Sequence, residues 1–128
     1  MSNLTPLAHH ERRKNPRFTL VTRGELAISG VDKAWSVYTN DISMGGVGIV
    51  HDEPLPAGVR ACLSLTLMPN GQPEVFTAVV RIQHCTFGGM QLRTGLQLIG
   101  MTLGNRMLLE RTLLSRTEIP ELEPLMRV

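Results

Sequence analysis

The stretch Val59-Arg60-Ala61-Cys62-Leu63-Ser64-Leu65-Thr66-Leu67 decides the fold class. Val59, Ala61, Leu63, Leu65 and Leu67 alternate with Arg60, Cys62, Ser64 and Thr66, the period of two expected of a strand with one buried face. Met68-Pro69-Asn70-Gly71 then turns the chain. Beyond it the alternation resumes, with Phe76, Ala78, Val80 and Ile82 facing inward and Thr77, Val79, Arg81 and Gln83 facing the other way. Two half-buried strands joined by a short turn form an antiparallel hairpin.

The same pattern extends upstream. Phe18, Leu20, Leu26 and Ile28 share one face of what reads as a single long strand, with Val21, Arg23 and Glu25 opposite and Gly24 marking a bulge or bend. Ser29-Gly30 with Asp32 and Lys33 turns the chain into a second strand, about Ala34–Asn40. A turn at Asp41-Ile42-Ser43-Met44-Gly45-Gly46 leads to the short apolar run Val47–Val50, and the Pro-rich His51–Gly58 reads as a loop. Downstream, residues 86–91 read as a loop around Gly88-Gly89, and Leu92–Ile99 reads as a last strand with Gly95 at a bend.

Gly104–Arg116 holds Met107, Leu108, Leu109, Leu113 and Leu114 among Arg106, Glu110, Arg111 and Arg116, which predicts one helix, capped by Thr102 or Asn105 and packed across an open end of the sheet. About six strands followed by a helix, with turns at short intervals, predict a mainly β fold: a small antiparallel six-stranded β-barrel with a C-terminal α-helix.

The 128 residues suit one domain. We divide them into a disordered leader over 1–10, the barrel and helix over 11–116, and an acidic, Pro-containing tail over 117–128. With one Trp, one Tyr and three Phe, the core must be aliphatic and stacking platforms are scarce. Cys62 and Cys85 lack metal-ligand or redox spacing and read as reduced thiols. His9-His10 has no second cluster to complete a metal site. No run approaches the roughly 18 apolar residues of a membrane span and no secretory signal is recognisable, so a cytoplasmic protein is expected.

The net charge of +2 is unevenly spread. Residues 1–24 carry Arg12, Arg13, Lys14, Arg17 and Arg23 against Glu11, or 5 − 1 = +4, leaving 8 − 10 = −2 for the remainder. Such focus favours a small anionic ligand over a polymer. Within Arg12-Arg13-Lys14-Asn15-Pro16-Arg17, Asn15 is pushed away from the α region by Pro16, so the run should be an extended, mobile arm. Arginine forks at spacing R-x-x-x-R suit phosphates and the O6/N7 edge of guanine. In Asp41-x-Ser43-x-x-Gly46, Asp and Ser are short polar groups that bond their own backbone or face outward, and glycine admits a close neighbour.

Arg13-x-x-x-Arg17 followed, after 23 intervening residues, by Asp41-x-Ser43-x-x-Gly46 resembles the signature of the PilZ domain family, bacterial receptors for the second messenger cyclic di-GMP. The resemblance covers about residues 11–116. It implies that Arg13 and Arg17 hold guanine edges and phosphate oxygens, that Asp41 accepts from guanine N1/N2 donors, that Ser43 bonds a phosphate or nearby backbone, and that Gly46 permits close approach. It also implies a non-enzymatic sensor that signals to a downstream protein. No nucleophile–base–orienter set, paired carboxylates or phosphate loop suggests catalysis.

Three finer expectations follow. Ligand binding should order residues 8–17, because an arm without apolar anchors cannot dock alone. Arg81, on the outer face of its strand, could add a cationic contact, although an ordinary surface arginine would look the same. Arg12 can stack on guanine and help neutralise a second ligand, so two cyclic di-GMP molecules per chain are expected. The alternatives are a basic-armed barrel that binds RNA or single-stranded DNA, which would want surface aromatics, and a protein-interaction module using the Leu-rich helix.

Overall fold

The computed structural model describes residues 15–115 and the pair Glu118–Ile119. Six strands close on themselves: β2 (Arg23–Ile28), β3 (Ala34–Ile42), β4 (Gly46–His51), β5 (Arg60–Leu67), β6 (Glu74–Gly88) and β7 (Gln91–Gly100). The order runs β2-β5-β6-β7-β4-β3, and β3 pairs back onto β2, so the expected antiparallel six-stranded barrel is present. Its core is the inward face that the alternation predicts, including Leu26, Leu63, Leu65, Phe76, Val80 and Ile82.

One predicted long strand is two. β1 (Arg17–Thr19) pairs with the far end of β3, and β2 pairs with its near end, separated by Leu20-Val21-Thr22. At this break the buried Thr39 hydroxyl donates to Leu20 O at 2.7 Å and accepts from Thr22 N–H at 2.9 Å. A side chain thus satisfies backbone groups that the ladder leaves. Gly24 keeps regular register rather than forming the bulge; a Cβ there would meet Ser64 O at 2.8 Å.

The expected loop over 86–91 is also absent. β6 and β7 run on as a hairpin to the two-residue turn Gly89-Met90, where Gly89 has φ +72°. That left-handed conformation carries little penalty for glycine, which lets the strands continue to the tip.

Helix α1 (Leu103–Leu114) starts at Thr102, whose hydroxyl accepts from Asn105 N–H at 3.2 Å. Asn105 does not cap; its Oδ1 accepts from Thr77 N–H at 2.9 Å and ties the helix to β6. Leu108, Leu109 and Leu113 are buried against the barrel, each contributing on the order of 1.5–3 kcal/mol. Beyond the helix, β8 (Glu118–Ile119) pairs with β1, with Arg17 opposite Ile119 and Phe18 opposite Glu118. Among the described residues, no helix is long and apolar enough to cross a membrane.

Candidate functional site

β1 carries Arg17 to the end of β3, where Thr19 is the partner of Asp41. Arg17 Nη2 stands 2.5 Å from Asp41 Oδ2, joining the last arginine of the first motif to the acid of the second. Both side chains line one cavity of about 270 Å³ on the outer face of the barrel.

The floor of that cavity is backbone. Asp41 is the partner of Gly48 in β4, and Gly48 is the partner of Gly95 in β7, so two glycines lie side by side where two outward side chains would otherwise stand. A β-bulge flanks each side of this pair. In β3 the register shifts between Thr39 and Asp41, which turns Asn40 and Asp41 together toward the cavity. In β6 it shifts between Ile82 and Cys85, which leaves Gln83 and His84 opposite Gly95. The far wall is made by His84, Thr86 and Arg93. Two guanidinium groups, Arg17 and Arg93, therefore face the cavity against one carboxylate, Asp41, and among the described residues no carboxylate pairs with Arg93.

The remaining motif residues shape the entry to β4. Ser43 is buried, and its Oγ accepts from the N–H groups of Gly45 and Gly46, both at 3.1 Å. Of the two roles expected for Ser43, the structure displays the backbone one. Gly46 has a reason of its own to lack a side chain, because a Cβ would stand 2.8 Å from the backbone oxygen of Leu96. Arg12 and Arg13 lie outside the described residues, as do His9-His10 and most of the acidic tail.

Arg81 does not line the cavity of Arg17 and Asp41. It borders an adjoining one with Gly58 and Gln83, and its Nη1 donates to Gly58 O at 3.3 Å. The two cavities share His84 and Gly95 as their boundary. Among the described residues, no three His, Cys, Asp or Glu side chains are grouped to hold a metal, and Cys62 and Cys85 are free thiols. Sequence reading missed Asn40, Gly48, His84, Thr86 and Arg93 as cavity residues. Gly95 was noticed only as a bend; a glycine among alternating strand residues was the available signal.

Comparison with known proteins agrees with this architecture. No curated protein sequence matches the chain. Among solved structures, the inhibitor of motility MotI/DgrA from Bacillus subtilis superposes with a TM-score of 0.69 at 15% identity, over 83% of this chain and 54% of that one. The PilZ domain of YcgR from Escherichia coli, solved with c-di-GMP, gives 0.65 at 17% identity, over 81% of this chain and 90% of that one. The PilZ domain of CeSA from a cellulose-synthesizing bacterium gives 0.58 at 21% identity, over 74% of this chain and 91% of that one. At these identities the likeness is one of fold. The family model of the PilZ domain matches residues 11–115, a span that takes in the basic segment, the Asp-Ser-Gly turn, the closed barrel and the helix, and the chain belongs to the PilZ domain family.

Proposed function

We propose that this protein is a receptor for cyclic di-GMP and that it binds the ligand through Arg12, Arg13, Arg17, Asp41, Ser43 and Gly46. The observation that carries this reading is the convergence of Arg17 and Asp41 on a cavity floored by Gly48 and Gly95. Guanidinium forks offer donors to phosphate and to guanine O6/N7, and a carboxylate accepts from guanine N1–H. Among the described residues no Phe, Tyr or Trp lines the cavity, and the exposed aromatics Tyr38 and Phe87 lie outside its lining, which disfavours the RNA or single-stranded DNA alternative at this site. Leu108, Leu109 and Leu113 of α1 are core residues, while Leu103, Met107 and Leu114 are exposed, so only the latter three are left to a helix-based interaction module.

On this reading the protein is a sensor rather than a catalyst and acts in the cytoplasm. Two ligand molecules bind per chain, residues 8–17 become ordered around them except for Arg17, which β1 and Asp41 already hold, and a downstream protein reads that change. The PilZ domain of YcgR solved with c-di-GMP and the K. pneumonia MrkH–c-di-GMP complex, which matches at a TM-score of 0.63 and 18% identity, support the choice of ligand.

Calorimetric titration with cyclic di-GMP, with GMP as control, tests the reading. Saturable binding is expected in the wild type, weakened roughly 10- to 150-fold by Arg13→Ala or Arg17→Ala as a charge-assisted contact is lost. Wild-type affinity in both variants would overturn the site. Amide exchange should slow over 8–17 when ligand is added, and equal protection would overturn the ordering step.

A further inference from the structure

Among the described residues, the side chain of Asn40 is the unexplained buried polar group. Its Oδ1 is shut off from solvent and has no hydrogen-bond partner among the described residues. A buried acceptor left without a donor is uncommon in folded proteins and usually signals a missing partner. Asn40 is also the extra residue of the bulge in β3, which is why it and Asp41, although consecutive, both border the cavity. Both side chains lean over Gly48. A Cβ on that glycine would stand 2.6 Å from Asn40 Oδ1 and closer still to Asp41 Oδ1. The two oxygens thus lie on the same side of one glycine.

The ion pair sharpens what this pair of oxygens can do. Asp41 Oδ2 is taken by Arg17, which leaves Oδ1 as the carboxylate's nearer acceptor toward the floor. Guanine presents two neighbouring donors on its base-pairing edge, N1–H and the exocyclic 2-amino group, whereas adenine presents an acceptor at N1. Each carboxylate oxygen has two lone pairs, but one oxygen facing the base can align well with only one of two parallel donors. The second donor needs another acceptor beside it.

Resting on the cyclic di-GMP reading above, we propose that Asn40 is a specificity-determining residue of the site: its Oδ1 accepts from the guanine 2-amino group while Asp41 Oδ1 accepts from N1–H. Contact with the base supplies the donor that the buried amide oxygen lacks, with a small rotation of the side chain toward the cavity. Arg17, Asp41 and Asn40 then form a row in which the arginine fixes the acid and the acid and amide read the base. A site built to hydrogen-bond a ligand N–H rejects an analogue without it, because its acceptor is then left unpaired.

The test compares cyclic di-GMP with cyclic di-inosine monophosphate, which lacks only the two 2-amino groups. The wild type should prefer the guanine ligand by roughly 10-fold or more, as expected for a lost hydrogen bond to a desolvated group. Asn40→Ala should weaken cyclic di-GMP binding by about the same factor and leave the inosine ligand nearly unchanged, closing the gap. Asn40→Asp keeps the acceptor oxygens, so it should preserve the preference even where repulsion of phosphate lowers both affinities; it carries the test should Asn40→Ala not fold. A full preference retained in Asn40→Ala, or a preference lost in Asn40→Asp, would overturn the proposal while the receptor reading stands. Failure of the wild type to bind either ligand would overturn both.

Discussion

Arg17 Nη2 lies 2.5 Å from Asp41 Oδ2, so two residues 24 positions apart in sequence act on the cavity as one unit. The pair is partly shielded, with the Asp41 side chain 16% and the Arg17 side chain 36% exposed. Ion pairs at an open surface contribute little, but this one orients both partners toward the same space. Its value is therefore expected in ligand affinity more than in fold stability.

A double-mutant cycle measures that coupling. Arg17→Ala and Asp41→Ala should each weaken cyclic di-GMP binding, and the double variant should lose less than the product of the two factors, with an interaction energy of at least about 0.5 kcal/mol. Strict additivity by calorimetry would mean that the two residues serve the ligand independently.

Two nearby glycines should answer differently to the same substitution. In Gly48→Ala the new methyl meets the ends of the Asn40 and Asp41 side chains, which can swing aside, so stability should change by less than about 1 kcal/mol while ligand binding falls. In Gly46→Ala it meets the backbone oxygen of Leu96 at 2.8 Å, so the fold should lose roughly 1–3 kcal/mol. Urea unfolding and ligand titration on the two variants separate the effects. Equal loss of stability in both would contradict the assignment of Gly48 to the floor.

The strand alternation made the barrel legible, because one face of each strand is buried and the side-chain period is two. Val59–Ile82 reads as a hairpin and is one, and Thr102 caps the helix as expected. What the sequence hid is register. Asn40, Gly48, Gly95 and His84 come together only once four strands are aligned and two bulges are placed, and a bulge leaves no mark in a period-two count. The break between β1 and β2 is invisible for a similar reason, since it depends on Thr39, which lies on the neighbouring strand β3. Gly89 permits a tight turn where the sequence reads as a broader loop.

Stoichiometry depends on Arg12, which precedes the R-x-x-x-R motif. Two ligands bring about four phosphodiester charges together, and their repulsion must be screened by nearby cations. Calorimetry should return two cyclic di-GMP molecules per wild-type chain and a ratio nearer one for Arg12→Leu. A wild-type ratio of one would remove the paired-ligand expectation and leave the receptor assignment intact.

A pH effect is expected far from the cavity. Lys33 Nζ stands 2.7 Å from Glu53 Oε1, and this hydrogen bond, with the attraction of the ammonium, holds the Glu53 carboxyl below its usual range. Because the folded value is the lower one, the contribution is present above the ordinary glutamate range and is lost as pH falls through the folded value. Thermal melts of wild type and Lys33→Met should differ slightly at neutral pH and converge in acid. A gap that widens on acidification would contradict the pairing.

The pairing of β8 with β1 has a mechanical consequence. Arg17 is opposite Ile119 and Phe18 is opposite Glu118, so Arg17 and Ile119 stand at the same end of the pair. A load drawing those two residues apart peels the ladder one bond at a time, starting at Arg17, instead of shearing its bonds together. On its other edge, β1 is paired with β3, a strand of the closed wall. The weaker seam therefore runs next to the guanidinium of the site, and tension between the two ends of the domain would open it before the barrel yields.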